Sequence, residues 1–442
     1  MKSSVSGGPR VDSYSWYVCF VMMLTYAFNY MDRALLSTVV GPIEHEFGIS
    51  DTTFGLLQGA AFGVFYCLFL FPLARLADRG NRRNLLMIAA LVWCSATVFC
   101  GLARTVPELF AARIMTAVGE AIVFPCAVSI LSDYFEPRRR VRAISLYSIG
   151  AYLGAALALG GGGFLLKLLG TTVVSLPVLG DLTPWRVVFV VVGGLGYVLI
   201  PLLLFVKEPM RRNDSGEVAG APYTSQQVWE VFKRQRYAIG AAIVGFGSMS
   251  VAGQTIQSWA PTLFVRTHEW APGNAAIWLG VLTLIMGPVG AISGGLLNDA
   301  IAKRGARDAK FVVGGWAAAI SVLASLALTL QWAGLALVGA AMLNFLIGSG
   351  FSLCQAALAE LVPNRMRAQT TALYSLTTML FASTVGPLMI GVLNDHVFMD
   401  PSKIALSMRV VLPVSFAIAT LALLGGRGVF RRALPEPAAR TA

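Results

Sequence analysis

The chain has 442 residues, 56% of them hydrophobic and only 13% charged, with a formal net charge of +12. That balance excludes an ordinary soluble globular domain. The longest polar interruption, residues 207–236, is too short to be an ATP-hydrolysing domain.

Apolar runs of about 20 residues, enough to cross a bilayer at ~1.5 Å per residue, recur along the chain. Twelve follow one another: about 15–39, 53–74, 85–103, 107–131, 143–168, 185–206, 237–264, 274–297, 311–330, 333–358, 369–394 and 404–425. Several contain Gly or Pro, which membrane helices tolerate. The first run is too long for a signal-peptide core and reads as an uncleaved span. The predicted fold is an all-α integral membrane protein with twelve transmembrane helices in two six-helix bundles. The bundles are expected over 1–206 and 237–430. A cytoplasmic linker with a short amphipathic helix fills 207–236, and a cytoplasmic tail fills 431–442.

Charge sets the expected orientation. With the N-terminus inside, 26 of the 34 basic residues fall in cytoplasmic segments, among them Arg79, Arg82, Arg83, Arg138, Arg142 and Lys310. Six remain for the outer side: Arg104, Lys167, Arg186, Arg266, Lys403 and Arg409. This is the positive-inside pattern. It puts both termini in the cytoplasm and explains the basicity without a nucleic-acid partner. All six cysteines fall in spans and lack metal-ligand spacing, so they read as packing residues.

Four charges lie inside spans. Asp32 and Arg33 are on the first, and Arg113 and Glu120 are on the fourth. A charge at bilayer depth costs several kcal/mol and marks a substrate or proton site by default. Arg113 and Glu120 are seven residues apart, hence on one face ~10 Å apart along the axis. Tyr26, Asn29 and Arg33 form a stripe on span one with Asp32 at its edge. The opposed running directions put Asp32 and Arg33 at a depth between Glu120 and Arg113, so cross-pairing is feasible. A static salt bridge holding the first bundle is the alternative reading.

The second half carries no charge from Tyr237 to Phe264 or from Ala333 to Ala359. Its polar groups include Gln254 and Thr255 on span seven and Asn344, Ser352 and Gln355 on span ten. Phe246, Phe345 and Phe351 face either a cavity or packing neighbours. Gln254 and Asn344 join Tyr26, Asn29, Arg33 and Arg113 as substrate-site candidates. Gly150, Gly154 and Gly160–Gly163 on span five permit close helix approach.

The halves repeat. Leu146-Tyr147-Ser148-Ile149 corresponds to Leu373-Tyr374-Ser375-Leu376, Asp133 to Glu360, Arg138 to Arg365 and Asp78 to Asp299. Such a six-plus-six repeat is a transporter signature. Asp78 and Asp133, acids in a basic belt, read as gate residues together with Arg79, Arg142, Asp299 and Glu360.

The stretch Ala74-Arg75-Leu76-Ala77-Asp78-Arg79-Gly80-Asn81-Arg82-Arg83 resembles the loop motif of the major facilitator superfamily, usually G-x-L-x-D-R-x-G-R-R. Ala74 replaces the first Gly, and Gly80-Asn81 inverts the usual order. Gly295-Leu296-Leu297-Asn298-Asp299 is a second copy that lacks the Arg. A narrower resemblance is to bacterial-type members of the Spinster family, which are linked to export of sphingosine-type lipids and lysophospholipids. It rests on Asn29-Tyr30-Met31-Asp32-Arg33, Phe54-Gly55-Leu56-Leu57-Gln58, Arg113, Gly119-Glu120-Ala121 and Pro125. It implies that Asp32 and Glu120 couple protons and that Arg33 and Arg113 hold a head group. A tyrosine-aspartate-arginine signature in span one also occurs in organic-anion symporters of the superfamily. The expected activity is secondary active transport in a bacterial inner membrane, by a monomer whose partners are a small-molecule or lipid substrate, protons and membrane lipids. No cofactor, metal triad, nucleotide loop or nucleophile–base pair is expected.

A single cysteine placed at Asn81 in a cysteine-free background is expected to react with impermeant reagents from the inside only. Labelling from outside in intact cells contradicts the topology.

Overall fold

The structure is a computed structural model that describes residues 13–177, 180–210, 230, 233–362 and 367–434. The linker's expected amphipathic helix, Arg365 and residues 435–442 lie outside the described residues. So do the side chains of Arg138, Phe351, Ser352 and Gln355.

Helix α1 (Ser13–Leu35) runs through a short turn into α2 (Val40–Phe47), where Gly48 stops it with a left-handed φ of 62°. Ser50 caps α3 (Asp51–Arg79), accepting from the Thr53 amide at 3.3 Å. Asn81 caps α4 (Arg82–Leu102) in the same way, through the Asn84 amide at 2.9 Å. Helices α5 (Val106–Tyr134) and α6 (Pro137–Leu169) follow. A hairpin of β1 (Val174–Leu176) and β2 (Gly180–Leu182) leads to α7 (Pro184–Leu204). The second half is α8 (Arg236–His268), α9 (Pro272–Lys303), α10 (Ala309–Leu328), α11 (Ala333–Leu361), α12 (Arg367–Val392) and α13 (Ile404–Ala433).

Eleven of these helices are long and apolar enough to span a membrane by length and composition. The twelfth long helix, α1, has 23 residues and carries Asn29, Asp32 and Arg33 among its apolar ones. The expected spans are therefore all helical. The sequence reading did not foresee α2 or the hairpin, both too short to show an apolar period.

Lipid offers little hydrophobic drive between helices, so close backbone contact must hold them. Small residues make it possible. A Cβ on Gly150 would lie 2.5 Å from Met23 O, and one on Gly154 2.0 Å from Ala27 O, so α6 lies directly on α1. The same helix crosses to the second half. A Cβ on Gly163 would meet Gly273 O at 2.8 Å, and one on Gly280 would meet the Gly160 amide at 2.7 Å. On the other flank α3 lies against α12, where a Cβ on Gly55 would sit 2.9 Å from Pro387 O and one on Gly59 2.3 Å from Ser383 O. All six cysteines are buried and free, as packing residues should be.

Polar groups reinforce the same end. Arg266 of α8 grips Asp51 of α3 with both terminal nitrogens at 2.7 and 2.8 Å, and reaches Glu44 of α2 at 2.6 Å. Asn394, just after α12, donates to Asp51 at 2.5 Å, and the Thr52 amide donates to Asp395 at 2.7 Å. Toward the linker end, Phe71, Arg75, Leu76, Asp78, Leu297 and Asp299 are exposed. The halves thus meet at the end away from the linker.

Gly280→Leu is expected to pry the α6–α9 seam. Overpacking costs about 1–3 kcal/mol, a ~5–150-fold shift away from the state closed at the far end. Spin-label distances between loops of the two halves at the end away from the linker should lengthen; unchanged distances contradict the seam.

Candidate functional site

The four intramembrane charges form two pairs between α1 and α5. Arg33 Nε donates to Glu120 Oε2 at 2.7 Å, and Arg113 Nη1 donates to Asp32 Oδ2 at 3.2 Å. The Glu120 side chain is wholly buried, and Asp32, Arg113 and Arg33 side chains expose 4%, 2% and 11%. The cluster is neutral in sum, which is what makes its burial tolerable. Arg33, the most exposed of the four, lies 4.0 Å from Met379 Sδ on α12. It therefore stands where the first half faces the second.

Aromatic rings enclose the guanidinium groups. Arg33 lies 5.2, 4.8 and 4.9 Å from the ring centres of Tyr30, Phe62 and Tyr66. Arg113 lies 4.9 Å from the same Phe62 ring. Such faces attract cations electrostatically, more strongly when water is excluded. Tyr26 stacks on Tyr147 at 4.4 Å and meets Tyr30 edge-on at 5.0 Å. Thr97 of α4 donates to Asp32 Oδ1 at 2.6 Å. Sequence reasoning missed Thr97, Phe62 and Tyr66. A hydroxyl in the apolar centre of span three was the available signal for Thr97; the two rings gave none.

Several buried polar atoms have no hydrogen-bond partner among the described residues: both amide atoms of Asn29, Glu120 Oε1, Arg113 Nε, Gln58 Oε1 and Tyr147 Oη. Buried polar groups are rarely left so. Unspent capacity concentrated beside two arginines is suited to receiving a polar ligand.

The second half contributes differently. Asn344 accepts from Thr283 at 3.3 Å and donates to Ala340 O at 3.0 Å, linking α9 to α11. Each of its amide atoms thus makes one bond within that half. Gln254 is half-buried. Phe246 packs edge-on against Phe311 at 6.3 Å and under Gly314, so of its two readings packing is the one observed.

At the linker end the centre is Arg82, an arginine the sequence reading counted only as a topology signal. Its side chain is 3% exposed and binds Asp133 at 2.5 Å, Glu208 at 2.6 Å and Ser129 at 2.7 Å. Glu360 accepts from Lys310 at 2.6 Å. Asp78, Arg79, Arg142 and Asp299 are exposed, and among the described residues no ion pair includes them. The structure therefore brings Asp133 into a network and leaves the other first-half gate candidates apart from it.

The model of the Major Facilitator Superfamily matches residues 22–387. The chain belongs to the major facilitator superfamily. It is 28% identical to an MFS-type efflux pump of Mycolicibacterium smegmatis over 92% of this chain and 90% of that one. It is 26% identical to protein spinster homolog 1 of Xenopus laevis over 94% of this chain and 80% of that one. A crystal structure of a bacterial homolog to the human lysosomal transporter Spinster, inward-facing and unoccupied, superposes with a TM-score of 0.79 at 24% identity, covering 98% of this chain and all of that one. The expected Spinster resemblance is borne out by these relatives. The protein is thus a multi-pass membrane transporter of this superfamily.

Removing one partner of a buried pair strands the other charge and costs about 3–5 kcal/mol. Arg113→Ala is therefore expected to lower thermal stability in detergent, and adding Asp32→Asn should recover part of the loss. Arg113→Ala at wild-type stability contradicts a buried pair.

Proposed function

We propose that the protein is a proton-coupled secondary transporter working by alternating access, with a lipid-like amphipath such as a lysophospholipid or sphingoid phosphate as substrate. The observation that carries the reading is the Arg33–Glu120 pair, buried, neutral and facing the opposite half. An anionic head group competes with Glu120 for Arg33. Glu120, released into a low-dielectric site, is then stabilised by taking up a proton. One anion and one proton together leave the cluster's charge unchanged. Asp32 and Glu120 are the coupling acids in this scheme. Arg33 and Arg113 bind the head group, with Tyr26 and Asn29 beside them and Gln254 and Asn344 across the cavity.

The membrane is taken to be a bacterial inner membrane with both termini cytoplasmic, so the linker end is the inner end. Asp78, Arg79, Arg142, Asp133, Asp299 and Glu360 then act on the inner gate. A gate that is open leaves the first three exposed, as they are here.

The second reading is a small organic anion. The glycine seams favour it, because they close the lateral flanks at the outer end and leave a lipid only an inner route. Arginine suits both, since its fork donates two parallel hydrogen bonds to phosphate or carboxylate.

Flux into liposomes along a pH gradient tests the coupling. A Glu120→Gln, Asp32→Asn double variant is expected to stop concentrating substrate; continued accumulation contradicts the acids' role. Matched ligands with and without a long chain decide between substrates. A charged contact worth roughly 1.5–3 kcal/mol predicts a ~10–150-fold affinity loss in Arg33→Ala. If the short anion binds wild type as well as the lipid, the lipid assignment falls.

A further inference from the structure

The outer lock contains more acid than its one arginine answers. Glu44 and Asp51 both bind Arg266, and Asp395 is committed to the Thr52 amide at 2.7 Å. The two acids are not equal. Asp51 accepts two bonds from Arg266 and one from Asn394, whose own oxygen accepts from Ser407 at 2.5 Å. Glu44 receives one bond, at Oε2, and its Oε1 is buried with no donor among the described residues. One Arg266 nitrogen donates to both acids, so the two carboxyls stand side by side, and a proton on Glu44 makes it a donor next to the Asp51 acceptor.

We propose that the Glu44–Asp51 pair is a second proton-binding site, separate from the central cluster, that takes up a proton when the outer end of the transporter closes. The site lies between the halves: Glu44 and Asp51 come from α2 and α3, Arg266 and Asn394 from α8 and the turn after α12. Closing assembles it and opening pulls it apart, so its occupancy is linked to the conformational equilibrium. Of the other charged or titratable groups on these elements, Glu46 holds Arg186 at 2.7 Å, Asp400 holds the Ser402 amide at 2.9 Å and His268 packs on the Phe264 ring at 5.1 Å; His45, Glu269, His396 and Lys403 are exposed.

Burial, and then the neighbouring Asp51 carboxyl, push Glu44 up to about 9 against the pull of Arg266. In the open state Glu44 is hydrated and returns to the ordinary carboxylate range. The closed state therefore holds one more proton between that range and about pH 9. Falling pH in this window favours closure and rising pH favours opening, by up to tenfold in the closed-to-open ratio per pH unit.

The test uses the purified full chain in nanodiscs without substrate, spin-labelled at Thr171→Cys and Lys403→Cys, exposed positions at the outer end of the two halves. Distance distributions are recorded from pH 6 to pH 10. The expected result is a closed population that shrinks as pH rises. Glu44→Gln, a permanent mimic of the protonated acid, should stay closed throughout. Asp51→Asn leaves one carboxylate for Arg266 and should likewise flatten the response. A pH response of wild-type size that survives in Glu44→Gln or in Asp51→Asn overturns the proposal. Because no substrate is present, its failure is distinguishable from failure of the transport reading, which flux alone decides.

Discussion

Everything in the first half is arranged around keeping four charges out of water without leaving any of them alone. The cost of a lone ion in low dielectric is several kcal/mol even after relaxation. That cost forces α1 and α5 into contact at two depths, Asp32 with Arg113 and Arg33 with Glu120. It also explains the rings. Phe62 lies against both guanidinium groups, so their uncommitted faces meet a π-cloud instead of hydrocarbon. Once α1 and α5 are fixed, Gly150 and Gly154 let α6 close over α1.

The two ends of the molecule solve opposite problems. At the end away from the linker, glycines bring backbones of the two halves into contact and Arg266 joins α2, α3 and α8. At the linker end, Arg82 ties α5 to the first linker residues within one half. A network confined to one half can persist while the halves move. A lock shared between halves cannot. The placement of Arg82 and Arg266 therefore separates what is rigid from what must break.

Much of this was legible in the residue order. Apolar length and the bias of basic residues define the spans, because a bilayer imposes one thickness and one charge asymmetry. The central cluster was legible for the same reason: Asp32, Arg33, Arg113 and Glu120 stand out against apolar neighbours. Partner choice was less so. Arg82 is one of several arginines in a basic loop, and only the fold shows that it is buried beside Asp133. Arg266 and Glu44 are 222 residues apart, a pairing that no local pattern announces. Phe62 and Tyr66 look like lipid-facing aromatics until α3 is rotated into place. The second-half candidates were the least legible, since an amide such as Asn344 reads identically whether it faces a cavity or a neighbouring helix.

The Thr97 hydroxyl has two acceptors within reach, Asp32 Oδ1 at 2.6 Å and the Trp93 carbonyl at 2.9 Å, and a single hydrogen. That hydrogen points to one or the other. The rotor angle of one hydroxyl thus decides whether α4 spends its hydrogen on its own backbone or on α1, and the seam between the two helices turns on a single torsion.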